Sequence, residues 1–329
     1  MSAQRIRVAV VGCGDFGRNH VRVYRELENA ELVGIVDTDP ARAQKIAEEY
    51  GARALPGIEA LAGEVQAVSL AVPTVEHARI GTRLLEMGLD VLVEKPMAAS
   101  LHEADQLIRT AAQRGRILQV GHVERFNPAM TAVEQVVSRP LFFEVHRLGV
   151  FTPRSLDIDV VYDVMIHDLD ILLALTGSPV AEVKAVGIPI LTGKVDIAHA
   201  RIEFESGAVA NVTASRVSTE RVRKMRFFQA HEYISLDYAR RDALRIRVIS
   251  PAKDGAQPEF GFEKLETRPE EPLHAELREF LDCVTTRRTP RVDGAAGRAA
   301  LELADRVMAG IQEHARRVQL SVISPQAAP

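Results

Sequence analysis

Apolar positions fall in two textures along the chain, and the change of texture divides it. In the first part, short apolar runs alternate with helical patterns. Ile6, Val8, Val10 and Val11 make a β-branched run that reads as a buried strand. A helical pattern follows over Phe16–Leu27, then a strand over Leu32–Val36. Thr38-Asp39-Pro40 open a helix through Ala41, Ile46 and Ala47, stopped at Gly51. A short helix at Ile58–Leu61 leads to a strand over Val65–Val72, which Pro73-Thr74 breaks. Val75–Met87 is helical and closed by Gly88; Asp90–Val93 is a strand that runs into Glu94-Lys95-Pro96. Ser100 and Glu103 have capping-box spacing for a helix that reaches Arg114 and stops at Gly115. Ile117–Val120 is one more strand. Strands alternating with helices predict an α/β fold with a doubly wound parallel sheet.

From about Leu141 the texture changes. Leu141–Arg147, Val180–Gly187, His199–Phe204, Ala208–Ser215, Arg223–Phe228, Tyr233–Tyr238 and Leu244–Ile249 read as strands. Ser206-Gly207 joins two of them as a hairpin. One helix, Asp159–Leu175, interrupts the series and is closed by Thr176-Gly177. Consecutive strands without helices predict a mainly antiparallel sheet in an α+β domain. The Gly-, Pro- and charge-rich stretch Asp254–Pro272 reads as a loop, and Pro272–Arg287 and Ala295–Arg316 as helices. The last of these is a candidate to pack back on the first domain, and Ser321–Pro329 reads as a loose tail. The boundaries are thus 1–122 and 123–329.

The first strand–helix turn carries chemistry. Gly12-Cys13-Gly14-Asp15-Phe16-Gly17 has the G-x-G-x-x-G spacing, between a strand and a helix, and Asp37 ends the next strand. That context is the dinucleotide fingerprint of a Rossmann domain. Gly12 permits the tight turn, Gly14 lets backbone approach a pyrophosphate, and Gly17 lets helix and strand lie close. The helix N-terminus offers free N–H groups and partial positive charge to phosphate. Asp37 would take the adenosine ribose hydroxyls and repel a 2′-phosphate, which favours NAD over NADP. FAD uses the same fingerprint, and a ligand-free Gly-rich turn is the bland alternative. Asp15, Phe16, Pro73, Thr74, His77, Glu94, Lys95 and Pro96 complete the expected cofactor rim, because ligands in such sheets bind beyond the strands' carboxyl ends.

Composition narrows the field. The 329 residues allow two domains, and 47% hydrophobic with 26% charged residues is ordinary for a globular chain. A net charge of −4 without a basic block argues against nucleic acid. Cys13 and Cys283 make no disulfide framework and no metal-type cluster. Met1–Gln4 lead straight into the first strand with no signal-peptide pattern, and no apolar run would span a bilayer; a cytoplasmic enzyme without a membrane partner is the expectation.

The second loaded stretch is the helix over 160–175. Asp163 and His167 are four apart and share a face, with Asp159 and Asp170 near it and Val161, Met165, Leu169 and Leu172 as an apolar stripe. A carboxylate one turn from a histidine orients the ring and raises its proton affinity, as a general base requires. A solvated acidic face with an incidental histidine is the bland reading; Asp-x₃-His-x₂-Asp as a metal site is the third, weakened by lack of further ligands. Lys95, after a buried strand and before Pro96, can hold a substrate hydroxyl or be a turn lysine; Pro96 is a candidate for a cis bond. His77 reads as structural or cofactor-adjacent, and His20 as packing within the first helix. His122, Arg125 and Asn127 cluster at the domain junction, where Arg125 suits a substrate phosphate or an interdomain ion pair equally.

Four stretches taken together resemble the Gfo/Idh/MocA oxidoreductases: Gly12–Gly17, Glu94-Lys95-Pro96, Gly121-His122-Val123-Glu124-Arg125-Phe126-Asn127-Pro128, and Asp163-x-x-x-His167-Asp168. The resemblance implies a Rossmann domain followed by a domain with a large open sheet, which in the family commonly makes dimer or tetramer contacts. It also implies a catalytic Lys95, Asp163 and His167: His167 takes a hydroxyl proton, Asp163 pairs with it, and Lys95 holds the hydroxyl. The Glu-Arg-Phe-Asn-Pro stretch and the helix around His167 look most like the family's nucleotide-sugar 3-dehydrogenases, which act on UDP-N-acetylglucosamine or its uronate. On that likeness Lys95, Arg125, Asn127, Arg154 and His167 are the expected substrate contacts, with no metal, and a homodimer or homotetramer is expected. The frequent Gly-Gly-Gly stretch of the family is replaced here by Asp157-Ile158-Asp159-Val160-Val161. Inositol or free-sugar oxidation is the alternative within the family. A dinucleotide-binding regulator that has lost catalysis is the alternative outside it, and it would not need Lys95, Asp163 and His167.

Overall fold

The structure is a computed structural model that describes residues 5–152, 158–251 and 257–319. The chain runs β1 (Ile6–Val11), α1 (Asp15–Glu26), β2 (Ala30–Val36), α2 (Pro40–Tyr50), β3 (Arg53–Ala54), β4 (Ala67–Leu70), α3 (Thr74–Glu86), β5 (Asp90–Glu94), α4 (Leu101–Arg114), β6 (Leu118–Gly121) and α5 (Pro128–Glu134). It continues through β7 (Phe142–Leu148), α6 (Ile166–Thr176), β8 (Val180–Ile188), β9 (Ile197–Phe204), β10 (Val209–Ser215) and β11 (Val222–Gln229). The last elements are β12 (Glu232–Asp237), β13 (Asp242–Ser250), β14 (Glu259–Lys264), α7 (Pro272–Thr286) and α8 (Gly294–Arg317). Two compact units result: one runs through Phe126 and takes back Glu270–Arg298, and the other holds Asn127–Pro269 and continues from Ala299.

In the first unit six strands pair in parallel in the order β3-β2-β1-β4-β5-β6. Val8, Val10, Ala67, Val68, Val91 and Leu92 are fully buried, as strands covered on both faces must be. The strand order turns back between β1 and β4, the switch point where such sheets open a ligand crevice. The local signals hold: Asp39 caps α2 through the Ala41 and Arg42 N–H groups, and Ser100 caps α4 through that of Glu103. Glu103 reaches back to the Ala99 N–H, one residue earlier than a standard capping box.

In the second unit eight strands follow the order β14-β13-β12-β11-β7-β10-β9-β8, all antiparallel except the parallel β7–β10 pair. One face buries Phe143, Val145, Ala200, Val212, Met225, Phe227 and Ile234 in a core shared with Met165, Leu169 and Leu172.

Three sequence expectations need correction. The helix expected over 295–316 is divided: its residues through Arg298 belong to the first unit, with Gly297 close to Val120, while Ala300, Leu303, Ala304, Val307 and Ile311 recur at helical spacing and bury in the second unit's core. Helix α7 joins the first unit whole, and its Leu273, Leu277, Phe280 and Leu281 pack among Val21, Tyr24 and Ile117. The loop expected over Asp254–Pro272 contains β14, which extends the sheet from β13. Helix α5 went unforeseen, although Asn127-Pro128 is a cap followed by a first-turn proline. The tail Ser321–Pro329 lies outside the described residues. Among the described residues no helix is long and apolar enough to cross a membrane.

Candidate functional site

The fingerprint glycines of the first unit each answer to a separate constraint. Gly12 has φ +86°, a left-handed conformation. A Cβ on Gly17 would collide with the Gly12 carbonyl. A Cβ on Gly14 would meet nothing within 4 Å, so this glycine leaves open space above the turn. Gly14 caps α1 without any side-chain hydrogen bond, and a helix N-terminus presents N–H groups and partial positive charge to an anion. Gly14, Asp15 and Phe16 are exposed there.

Asp37 sits at the end of β2 with a carboxyl group only 4% exposed. Its Oδ2 accepts the Cys13 N–H at 2.7 Å, and Oδ1 accepts the Asp39 N–H at 2.9 Å and an Arg42 N–H at 3.4 Å. The acid is thereby locked beside the glycine turn. A cleft of about 360 Å³ adjoins it, lined by Gly14, Asp15, Arg18, Arg42 and Lys45 among others. These basic residues were missed from sequence; their signal is their place on the helices that follow the glycines and the acid. Open space at Gly14, an uncapped helix end and a fixed carboxylate together fit an adenine dinucleotide. Cys13, in the same turn, is pushed up to about 12 by burial and then by the Asp37 charge, so it stays a thiol.

Beyond β4 and β5 the rim carries the other expected residues. Pro73 caps α3 and Thr74 begins it, again with no side-chain cap. The Lys95-Pro96 bond is cis, and Lys95 is half-buried. Glu94 is buried; its Oε1 accepts from His20 Nε2 at 3.0 Å and its Oε2 from the Lys95 N–H at 3.3 Å. Gly121 is needed beside it, since a Cβ there would press on the Glu94 carboxylate. His20 therefore secures the Lys95 turn rather than only packing in α1. His77 is buried, with Nδ1 2.9 Å from the Pro96 carbonyl oxygen and Nε2 2.9 Å from that of Val72. Burial pulls its pKa below the ordinary value, while the Val72 and Pro96 carbonyls and the Glu94 charge pull the other way.

In the second unit Asp163 and His167 lie on one continuous helical run. A π-turn over Val161–Met165 carries Asp163 and passes into α6, which carries His167 near its start. π-turns inside helices recur at functional sites. Both residues are half-buried. The acidic-face reading fails for their neighbours: Asp168 and Asp170 are buried, and Arg147 grips Asp168 with two hydrogen bonds of 2.7 and 2.8 Å. Arg147 also lies over the Tyr238 ring, 4.9 Å from its centre. Asp159 Oδ1 accepts the Val195 N–H at 2.8 Å, and Arg216 donates to the Ile158 carbonyl, which fixes the entry to the π-turn. Among the described residues no three of His, Cys, Asp and Glu gather as metal ligands.

The expected substrate residues are divided. Arg125 is half-buried on a 3₁₀ turn, Val123–Phe126, of the first unit. Asn127 belongs to the second unit; its Oδ1 caps α5 through the Ala129 N–H and its Nδ2 donates to the Tyr238 carbonyl. Arg154 lies outside the described residues.

Known proteins share this architecture and sequence. Residues 6–122 match the oxidoreductase family with NAD-binding Rossmann fold, and residues 137–231 match the GFO/IDH/MocA C-terminal domain. The chain is 37% identical over 313 residues to a UDP-N-acetylglucosamine 3-dehydrogenase of Acidithiobacillus ferrooxidans, covering 95% of this chain and 99% of that one. A solved structure of that dehydrogenase superposes with a TM-score of 0.88 over 94% of this chain and 98% of the other, at 36% identity. A scyllo-inositol 2-dehydrogenase (NAD⁺) of Bacillus subtilis is 28% identical over 88% of this chain and 89% of its own length.

Proposed function

Because this chain belongs to the Gfo/Idh/MocA oxidoreductase family, a family of NAD-binding dehydrogenases, we propose that it oxidises the 3-hydroxyl of a UDP-N-acetylhexosamine to a ketone. The observation that carries this substrate is the end-to-end match, 37% identical over 99% of a UDP-N-acetylglucosamine 3-dehydrogenase. The chain is a dehydrogenase of CH–OH donors, and NAD is its cofactor.

Bound NAD supplies the hydride acceptor at its nicotinamide ring. Gly12, Gly14, Asp15, Phe16 and Gly17 would hold its pyrophosphate, and Asp37 its adenosine ribose. Pro73, Thr74, Glu94 and Pro96 would line its nicotinamide half. Lys95 donates a hydrogen bond to the reacting hydroxyl oxygen and stabilises charge that builds on it. His167 accepts the hydroxyl proton while the carbon loses its hydrogen with the bonding pair. Asp163 stabilises the imidazolium so formed. The alcohol thus gives up one proton and one hydride, and a carbonyl remains. Arg125 and Arg154 are assigned to the diphosphate of the nucleotide sugar.

Substrate, cofactor and product are polar nucleotides or sugars, and we assign the protein to the cytoplasm. We also assign it a homo-oligomeric state, through the exposed face of the second unit's sheet. NADH appearance against UDP-N-acetylglucosamine, UDP-glucose, glucose and myo-inositol tests the function. Turnover is expected with the UDP-N-acetyl sugar first. Preference for inositol or glucose replaces the substrate, and NAD binding without turnover on any member would leave a regulatory protein.

A further inference from the structure

His77 takes no part in the chemistry above, yet it is built into the rim with unusual economy. The ring is 1% exposed, so it does not reach substrate. Both ring nitrogens stand 2.9 Å from a backbone carbonyl oxygen, of Pro96 on one side and of Val72 on the other. Those carbonyls belong to different connections. Val72 precedes Pro73-Thr74, between β4 and α3, and Pro96 closes the turn that carries Lys95 after β5. The pairing of β4 with β5 stops at Leu70–Val93, so the strand ladder does not tie these connections together. The imidazole does. A phenyl ring would pack there without burying a ring N–H, and burying that N–H is favourable only if its hydrogen bond is made.

We propose that His77 is a positioning residue for Lys95, holding the lysine turn to the adjacent cofactor loop through the contacts of its ring with the Pro96 and Val72 carbonyls. The proposal rests on the reading of Lys95 as the group that holds the reacting hydroxyl. It assigns His77 no contact with substrate and no proton transfer. Glu94, itself held by His20, also accepts the Lys95 N–H, a second tie on the same turn.

The test is a double-mutant cycle on the full-length enzyme with NAD and UDP-N-acetylglucosamine. His77→Phe keeps an aromatic ring, slightly larger, and removes the polar contacts; His77→Gln keeps an amide N–H donor group. Single-turnover NADH formation, the KM for NAD and the thermal midpoint are measured for each, alone and combined with Lys95→Met. His77→Phe is expected to slow turnover by about tenfold or more while the NAD KM moves less than about threefold, and His77→Gln to recover part of the rate. In the Lys95→Met background the same change is expected to give no further loss, because the residue acts through Lys95. Equal losses in both backgrounds, a loss confined to the NAD KM, or unchanged turnover in His77→Phe each overturn the proposal. Should His77→Phe not fold, His77→Gln and His77→Asn carry the same cycle. If Lys95→Met alone turns over normally, the Lys95 reading falls first and this one with it; if Lys95→Met is slow and His77→Phe adds its full factor, only this one falls.

Discussion

Asp37 shows how one side chain can serve fold and cofactor together. Its carboxylate holds the glycine turn through Cys13 and begins the entry to α2 through Asp39, so it is already fixed before any ribose arrives. Asp37→Ala is expected to raise the NAD KM by about tenfold, roughly 1.4 kcal/mol, and the NADP KM by less. Arg18, Arg42 and Lys45 remain in the neighbouring cleft to meet a 2′-phosphate. Steady-state KM values for both cofactors decide it, and equal weakening would remove Asp37 from cofactor choice. His167→Ala is expected to bind NAD as before and lose about 10²- to 10⁴-fold in turnover, measured by cofactor titration beside NADH formation. Unchanged turnover would take His167 out of the reaction. The residues of both predictions were legible in the sequence because each sits in a local motif. The partners that hold such residues were not: His20 meets Glu94 across 74 positions, and Arg147 meets Asp168 across 21. Sheet order creates those meetings, and no periodicity announces them.

At the level of the element, two glycines three positions apart separate fold from function. A methyl group at Gly17 would strike the Gly12 carbonyl and push α1 off β1; one at Gly14 would enter open space. Gly17→Ala should destabilise the first unit by about 1–3 kcal/mol. Gly14→Ala should leave the thermal midpoint near that of the parent and weaken NAD by filling the pyrophosphate's place. Thermal unfolding with and without NAD checks both, and equal midpoints for the two variants would refute the distinction. A second element depends on charge. Arg147 and Asp168 tie β7 to α6 at 5% and 0% exposure, one residue from His167. Arg147→Met should destabilise the second unit by about 3–5 kcal/mol, since it strands a buried carboxylate, and Arg147→Met with Asp168→Leu should regain much of that. Denaturant unfolding of the three proteins measures it. Most elements were readable because their caps and breakers are chemical: Asp39-Pro40, Ser100 with Glu103, Gly51, Gly115. β14 was hidden because Gly and Pro around it outweighed the alternation of Phe260 and Phe262, and its partner β13 supplies the pairing that the segment's composition does not advertise.

For the whole molecule, Met165, Leu169, Leu172, Ala300 and Val307 from the helical segments join the core on one face of the second unit's eight-stranded sheet. Cross-strand register draws a line over the other face: Phe262 opposes Ile246, Ile246 opposes Tyr233, Tyr233 opposes Phe228, Phe228 opposes Phe142, and Phe142 opposes Val209. Residues directly opposite across strands point to the same side, so these make one apolar row. The alternate residues Phe143, Phe227 and Ile234 are buried in the core, which places the row on the far side. Phe262 is 71% exposed and Phe228 39%; the Phe142 and Phe228 rings stack, and Tyr233 meets Phe228 at a tilt. A contiguous apolar row on an open sheet is the kind of surface the proposed contact with a second copy would use. If the proposed homo-oligomer forms through this row, Phe262→Glu and Phe228→Glu should convert it to a monomer in analytical ultracentrifugation, with far-UV circular dichroism unchanged. A charge at Phe262 would sit at the end of the row and one at Phe228 near its middle. Phe228→Glu should accordingly act at lower substitution load, disrupting assembly at protein concentrations where Phe262→Glu still partly associates. A parent protein that is monomeric at micromolar concentration, or variants that keep its oligomeric mass, would assign this row to some other use.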